Sequence, residues 1–438
     1  MENLSADKIL VVDLVSSEIT EDELSDELVE EKIGGAAITK HLYEKHAEGD
    51  PIVIGTGLLT GTLFPASAAA VMTAKSPVSG KICHCPITLK VGLEIQYAGF
   101  DYIVIKGKAD RPVFLWIHDG VADISDAADV WGKNVWETTD TWRNAMGDVL
   151  IQTLVIGSAG ENGSDFAQIC CNYWSGGDRW GFGKLFGMKN LKGAAFRGMG
   201  LLEIADAEEF VEMSLDVLED IKDGNSMGRT GVGDLCTAMG EADISSWLEP
   251  LVHRHSSCYN TPYATNTFAC IDDDPKQMAE SETEETGVLI SDIFGLIGFK
   301  KLGLSAMDAC MLLRDCARDG IDAAAVAELS QTSGLKTREA IQEALPDLSG
   351  PITVPGNGIF SPWCPQQPLF GEFDNIGEDP AQWWERRMAV AYIFGIHPIF
   401  AVMSPEITEE DLVDIAVVGT ELEIDQDTLE KAVQYLLK

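Results

Sequence analysis

The chain has 438 residues, 45% hydrophobic and 23% charged, with 71 acidic against 31 basic side chains and a formal net charge of −40. That length exceeds what one hydrophobic core ordinarily supports, so two or three domains are expected, and the composition is globular rather than disordered or fibrous. Nucleic acid and anionic membrane surfaces are excluded as partners because they carry the same sign of charge, and no apolar run approaches the ~20 residues of a membrane span.

The first ~200 residues are rich in short β-branched runs. Strands are predicted over Ile9–Asp13, Pro51–Ile54, Tyr102–Ile105, Val113–Ile117 and Leu150–Ile156. Helices are predicted over Glu21–Lys32, whose leucines and valine fall at helical intervals in an acidic run, over Ala37–His46 and over Val135–Met146. Runs of strands with sparse helices favour sheet-on-sheet packing. After Gly200 the period changes to that of helices. They are predicted over Ala207–Lys222 (opened by Asp206 as a cap), Leu304–Arg318, Asp322–Ser333, Lys336–Leu345, Ala381–Phe394 and Gln426–Leu437. Residues 350–377 are rich in Gly and Pro and read as a long ordered loop or a domain connection. The expected class is α+β: a β-rich domain over 1–200, a helical domain over 201–349 and a C-terminal helical domain over 350–438.

Met1 to Lys8 lacks a basic region followed by an apolar one, so a cytoplasmic setting is expected. In such a setting the ten cysteines read as thiols, metal ligands or redox sites rather than disulfides. Cys83-His84-Cys85 alternates as on a strand, with both thiols on one face, and Cys170 and Cys171 point apart. Cys310 and Cys316 fit a buried helix face. Cys364, beside Pro365, is the exposed-looking candidate nucleophile, without an identifiable base. Cys258, His253, His255 and His397 have the right types for a metal module but come from distant segments. Trp174, Trp363, Trp383 and Trp384 line an apolar pocket or fill a core.

Five segments carry a resemblance: Gly55-Thr-Gly-Leu-Leu-Thr-Gly-Thr-Leu-Phe-Pro-Ala-Ser67, Ala74-Lys-Ser-Pro-Val-Ser-Gly80, Ala98–Ala109, Gly157-Ser-Ala-Gly-Glu-Asn162 and Arg179–Gly193. Together they resemble the first domain of aldehyde ferredoxin oxidoreductases. The resemblance is dense to Gly198 and thin afterwards. It implies a β-rich domain shaped to bind a tungstopterin, followed by condensed helical domains and an iron–sulfur cluster.

Most positions that the resemblance assigns to cofactors are changed. The family's Cys-x2-Cys-x3-Cys triplet corresponds to Cys258, Thr261 and Thr265, and its fourth cysteine to His397. Hydroxyls do not hold a four-iron cluster, so no such cluster is expected, and Cys258 with His397 could at most hold a lone metal. The aspartates that would bond the pterin correspond to Ala317 and Tyr392, neither of which can make the charged bidentate bond. A phosphate-facing arginine corresponds to Ala69, and the usual Gly-Gly is missing around Thr88–Gly92. Arg179, Gly181 and Gly183 are retained and either bind cofactor phosphate or shape a turn. Glu285, in Glu282-Thr-Glu-Glu-Thr286, matches the family's catalytic glutamate; an exposed acidic run is the competing reading.

The expectation is therefore a cofactor-poor structural or regulatory subunit of an oxidoreductase complex, in a homo- or hetero-oligomer. The alternative is an active tungsten or molybdenum pyranopterin oxidoreductase, acting on aldehydes or activated acids with an altered ligand set.

Overall fold

Two six-stranded sheets face each other and are covered on their outer faces by helices. The computed structural model describes residues 3–224, 228–271, 287–353, 358–373, 376–377 and 379–438. The first sheet is built from β1 (Lys8–Asp13), β2 (Glu18–Glu23), β3 (Ile52–Thr56), β4 (Ala70–Lys75), β5 (Ile82–Ile87) and β6 (Tyr102–Lys106). Their spatial order is β2-β1-β6-β3-β4-β5. The second uses β7 (Val113–His118), β8 (Val121–Asp126), β9 (Gln152–Val155), β10 (Cys170–Cys171), β11 (Trp174–Ser175) and β12 (Leu191–Arg197), in the order β11-β10-β9-β12-β7-β8. Among the strands of these two sheets, β1 with β6 and β7 with β12 pair in parallel and the other neighbours antiparallel.

One buried cluster lies between the sheets. It joins Leu10, Ile52, Ile54, Met72, Cys83 and Cys85 of the first to Leu115, Ile117, Leu154, Cys171, Ala194 and Phe196 of the second. The outer face of the first sheet packs on the helices Gly35–Lys45 and Pro380–Phe394, and that of the second on Val135–Met146, Ala306–Asp319 and Ala323–Thr332. Cys83 and Cys85 share the inter-sheet cluster while Cys170 and Cys171 fall in different ones, as strand alternation requires.

The five predicted strands and the helices after Gly200 all form. Val135–Met146 forms as predicted because Asn134 and Glu137 make a reciprocal capping box. The helix predicted from Glu21 is corrected: Glu18–Glu23 is edge strand β2, antiparallel to β1, and the helix starts at Asp26 after Ser25 caps it. An acidic edge strand with both faces wet carries the same polar pattern as a solvated helix face, and pairing with β1 decides between them. A three-stranded sheet of β13 (Val252–Ser256), β14 (Asn266–Cys270) and β15 (Gly287–Ile290) lies within the helical half and was not predicted. No helix among the described residues is long and apolar enough to cross a membrane.

Candidate functional site

Two glycine turns lock onto the sandwich in the same manner, one per sheet. Strand β3 leads into Gly57, and the helix Pro380–Phe394 ends in Gly395 at φ +82°. Leu58 N donates to Ile393 O (3.2 Å), Leu59 N to Phe394 O (2.9 Å) and Ala69 N to Gly395 O (3.0 Å). On the other sheet, β9 leads into Gly157, and the helix Ala306–Asp319 ends in Gly320 at φ +66°. Gln168 N donates to Gly320 O (2.9 Å), and a Cβ on Gly157 would overlap Asp319 O. These are the two turns at which pterin-binding aspartates were expected.

Both positions are closed by packing. Ala317 is buried, and the cavity beside it, lined by Gln168, Ser175, Ser291 and Asp292 among others, measures about 20 Å³. That is room for one water, whereas cofactor sites are clefts of ~300 Å³ or more. A separate cleft of about 320 Å³ at the same turn, lined by Ser158, Asn162, Phe166, Asp319 and Ile321, does not include Ala317. At the other turn Tyr392 is 2% exposed, with its ring 5.5 Å from that of Phe360. Phe360 comes from the Gly- and Pro-rich stretch, which runs beside β5: His84 N donates to Ile359 O (2.8 Å) and Ser361 N to His84 O (2.9 Å). Phe360 thereby sits 5.7 Å from His84 and 6.3 Å from Trp384. Trp363 and Trp384 are likewise buried in the core. Ala69 is buried, with its carbonyl taken by Thr60 Oγ1 at 2.6 Å.

The Arg179 loop is organised by a residue that the sequence reading passed over. Asp178, fully buried, accepts from the backbone N–H groups of Ile169 (3.1 Å), Trp180 (2.9 Å) and Gly183 (3.1 Å). Burial pushes its carboxyl up to about 6 against these bonds. Amides that could have cradled a phosphate are thus given to a side chain. Arg179 Nε donates to Asp322 Oδ2 (3.1 Å), and its guanidinium lies 5.5 Å from the Phe294 ring centre. Asp322 in turn caps Ala323–Thr332 through Ala324 N and Ala325 N. Asp292, also buried, lies near the pair and has its carboxyl pushed up by burial. Gly181 sits at φ +73°, and a Cβ on Gly183 would lie 2.7 Å from Gln168 O. Backbone approach alone therefore demands glycine at 183.

Cys258 and His397 attach to the same segment from different elements. Ala66 N donates to Asn260 O (2.7 Å), which ties down the Cys258 loop, and His397 N donates to Ala66 O (2.9 Å). Cys258 is buried, its thiol pushed up to about 11 by burial, with Asn266 Nδ2 at 4.0 Å. His397 is fully buried 5.7 Å from Trp363, and neither ring nitrogen has a hydrogen-bond partner among the described residues. Burial lowers its pKa to about 4. Thr261 and Thr265 are buried hydroxyls. Among the described residues, no three His, Cys, Asp or Glu side chains converge on a common point that could hold a metal. The donor set around Cys258 does not fit a four-iron cluster.

The remaining candidates separate. His253 and His255 are exposed on β13, and His255 Nδ1 bonds Thr267 Oγ1 at 3.0 Å, so no module with Cys258 and His397 assembles. Cys364 is corrected from exposed to buried: its thiol donates to Pro398 O (3.1 Å), and burial holds it well above the usual thiol range. Glu285 lies outside the described residues.

A family model described as the aldehyde ferredoxin oxidoreductase N-terminal domain matches residues 9–198. The tungsten-containing aldehyde ferredoxin oxidoreductase of Pyrococcus abyssi is 37% identical over 223 residues, covering 49% of this chain and 37% of that protein. The Pyrococcus furiosus protein of the same name is 32% identical over 269 residues, covering 59% and 44%. The aliphatic sulfonate oxidoreductase, WOR-like subunit, of Pyrococcus furiosus is 32% identical over 226 residues, covering 46% and 36%. The match thus spans well under half of these relatives' own length. Among solved structures, a chain of the active site complex BamBC of benzoyl coenzyme A reductase, in complex with 1,5-dienoyl-CoA, superposes with a TM-score of 0.80. It is 18% identical and covers 99% of this chain and 88% of that one, a likeness of fold alone. With the sandwich, its five signature segments and these matches together, residues 9–198 form a domain of the aldehyde ferredoxin oxidoreductase N-terminal type.

Proposed function

We propose that this chain is a cofactor-poor structural or regulatory subunit of an oxidoreductase assembly. The observation that carries the reading is the packing at the two positions expected to bind a pterin, with about 20 Å³ beside Ala317 and the Phe360 and Tyr392 rings packed at the other turn. Loss of thiolates at Thr261 and Thr265, and the use of Trp180 and Gly183 amides by Asp178, fit the same account. Once no metal is held, ligand positions drift toward ordinary core residues, and the fold persists because it is supported by apolar burial rather than by ligation. That one relative is named a subunit and the fold neighbour belongs to a complex supports a role in an assembly.

A second reading draws on the tungsten-containing relatives. Here a tungsten or molybdenum pyranopterin is held with fewer protein contacts, and Glu285 and the Arg179 loop are the residues to mutate.

Elemental analysis of anaerobically purified protein decides between the two. Absence of tungsten, molybdenum and iron is the expected result. Tungsten or molybdenum near one per chain overturns the proposal.

A further inference from the structure

Six of the large apolar side chains left exposed among the described residues gather at one end. Leu63, Val121, Val149, Leu150, Met199 and Leu201 are each half or more exposed, Leu201 at 93% and Met199 at 77%. Hydrogen bonds bring their segments together around Arg197. Arg197 Nε binds Asp148 (2.7 Å), which brings Val149 and Leu150 beside Met199. Asp119 N donates to Arg197 O (3.3 Å) and Met199 N to Asp119 Oδ1 (3.1 Å), which adds the turn before Val121. Gly200 N donates to Tyr97 O (3.0 Å) and Tyr97 Oη to Gly61 O (3.0 Å), which adds the Leu63 loop.

Isolated exposed apolar residues need no explanation, but a contiguous group on a chain of charge −40 does. Its charged groups are of one sign in effect. Arg197 is already bound by Glu94 (3.1 Å) and Asp148, while the Asp119 side chain is 53% exposed. A second copy would set acid against acid around the apolar centre. A surface with an apolar centre and a lysine- and arginine-bearing rim complements it in both respects.

We infer that this end docks a different protein subunit, one that presents an apolar patch with a basic rim. The inference rests on the reading of the chain as an assembly subunit and names the surface through which it assembles.

The test places a photo-crosslinking phenylalanine at Leu201, and at Leu215 on the helix Ala207–Asp223 as an exposed control, in the full chain expressed in its own cells. Crosslinked proteins are identified by mass spectrometry, and the identified protein is purified and titrated against the chain. The expected result is a distinct partner captured from position 201 and not from 215. Its Kd is expected to rise about tenfold or more with Leu201→Asp and again between about 50 and about 500 mM NaCl, while Leu215→Asp leaves it unchanged. Crosslinks only to a second copy, no crosslink from position 201, or a partner whose Kd ignores both Leu201→Asp and salt would overturn the inference. The metal content is read separately. Tungsten in a chain that docks through Leu201 sinks the cofactor-poor reading alone, and a metal-free chain without a partner at Leu201 sinks the docking surface alone.

Discussion

Gly57 and Gly395 meet backbone to backbone, so closely that a Cβ on Gly57 would overlap the Gly395 amide nitrogen. The contact joins the loop after β3 to the end of the helix Pro380–Phe394, and thereby an N-terminal sheet to a C-terminal helix. Gly57→Ala is expected to destabilise the protein by about 3 kcal/mol or more, because only backbone can yield there. Gly80 is the control: it has positive φ, +72°, which Gly57 does not, and nothing lies within 4 Å of its Cβ position. Gly80→Ala is expected to cost only the ~1–2 kcal/mol of a left-handed conformation. Thermal unfolding of both variants separates interlock from strain, and equal losses would refute the interlock.

Arg179 and Asp322 form an ion pair with side-chain exposures of 14% and 4%. Arg179→Ala leaves Asp322 buried without its partner, close to Asp292, and is expected to cost about 3–5 kcal/mol in urea unfolding. Arg179→Met combined with Asp322→Asn removes both charges and is expected to recover much of that loss, since Asn still caps the following helix. If Arg179 instead served a bound phosphate, added pyrophosphate would raise the melting temperature of the wild type and not of Arg179→Ala. The expected result is no shift in either.

Legibility in the sequence followed the range of the interaction. Asn134 and Glu137 act three residues apart, and the helix that they start was expected over roughly the residues that form it. That Thr261 and Thr265 carry hydroxyls, which cannot ligate iron as thiolates do, is given by side-chain chemistry alone. Asp178 could not be weighed in this way, because its worth lies in amides at Ile169 and Gly183 that only the folded loop brings to it. Phe360 was equally opaque: a Gly- and Pro-rich stretch gives no period, and its position is set by His84 on a distant strand. Cys364 was misjudged because a neighbouring proline suggests a surface loop, whereas Phe394–Ala401 wraps it into the core. The acidic run at Glu21 misled for the opposite reason, since a polar pattern fits any wet surface and only the β1 ladder fixes its conformation.

Thiol reactivity follows from burial. Nine of the ten cysteines are buried and Cys270 is half-buried. Desolvation pushes Cys83 and Cys258 up to about 11 and Cys171, Cys236 and Cys310 up to about 12. Native protein at pH 8 is expected to show one thiol within reach of an alkylating reagent, abolished by Cys270→Ser, and all ten in denaturant. Rapid labelling of Cys364 in the native state would revive it as a nucleophile.

Two buried imidazoles set the acid limit. Burial lowers His84 to about 3 and His397 to about 4, against an ordinary value near 6.5. A histidine depressed in the folded state holds its proton better when unfolded, so its contribution to stability is present above about 6.5 and lost as pH falls toward the folded value. For His397 the loss is on the order of 3 kcal/mol. Asp178, raised to about 6, acts in the opposite direction: its contribution is present below about 4 and lost as pH rises through 6. Burial raises Asp101, Asp292, Asp315 and Asp319 in the same direction as Asp178, so each group is read from the change that its variant makes in the fall of stability from pH 6.5 to 4. His397→Gln is expected to flatten that slope, because neither ring nitrogen has a hydrogen-bond partner among the described residues and the substitution removes the titratable group without breaking a bond there. Asp178→Asn is expected to steepen it by deleting the opposing group. Urea unfolding at half-unit intervals of pH reads wild type and variants, and a His397→Gln profile parallel to the wild type would show that His397 is not held neutral by burial.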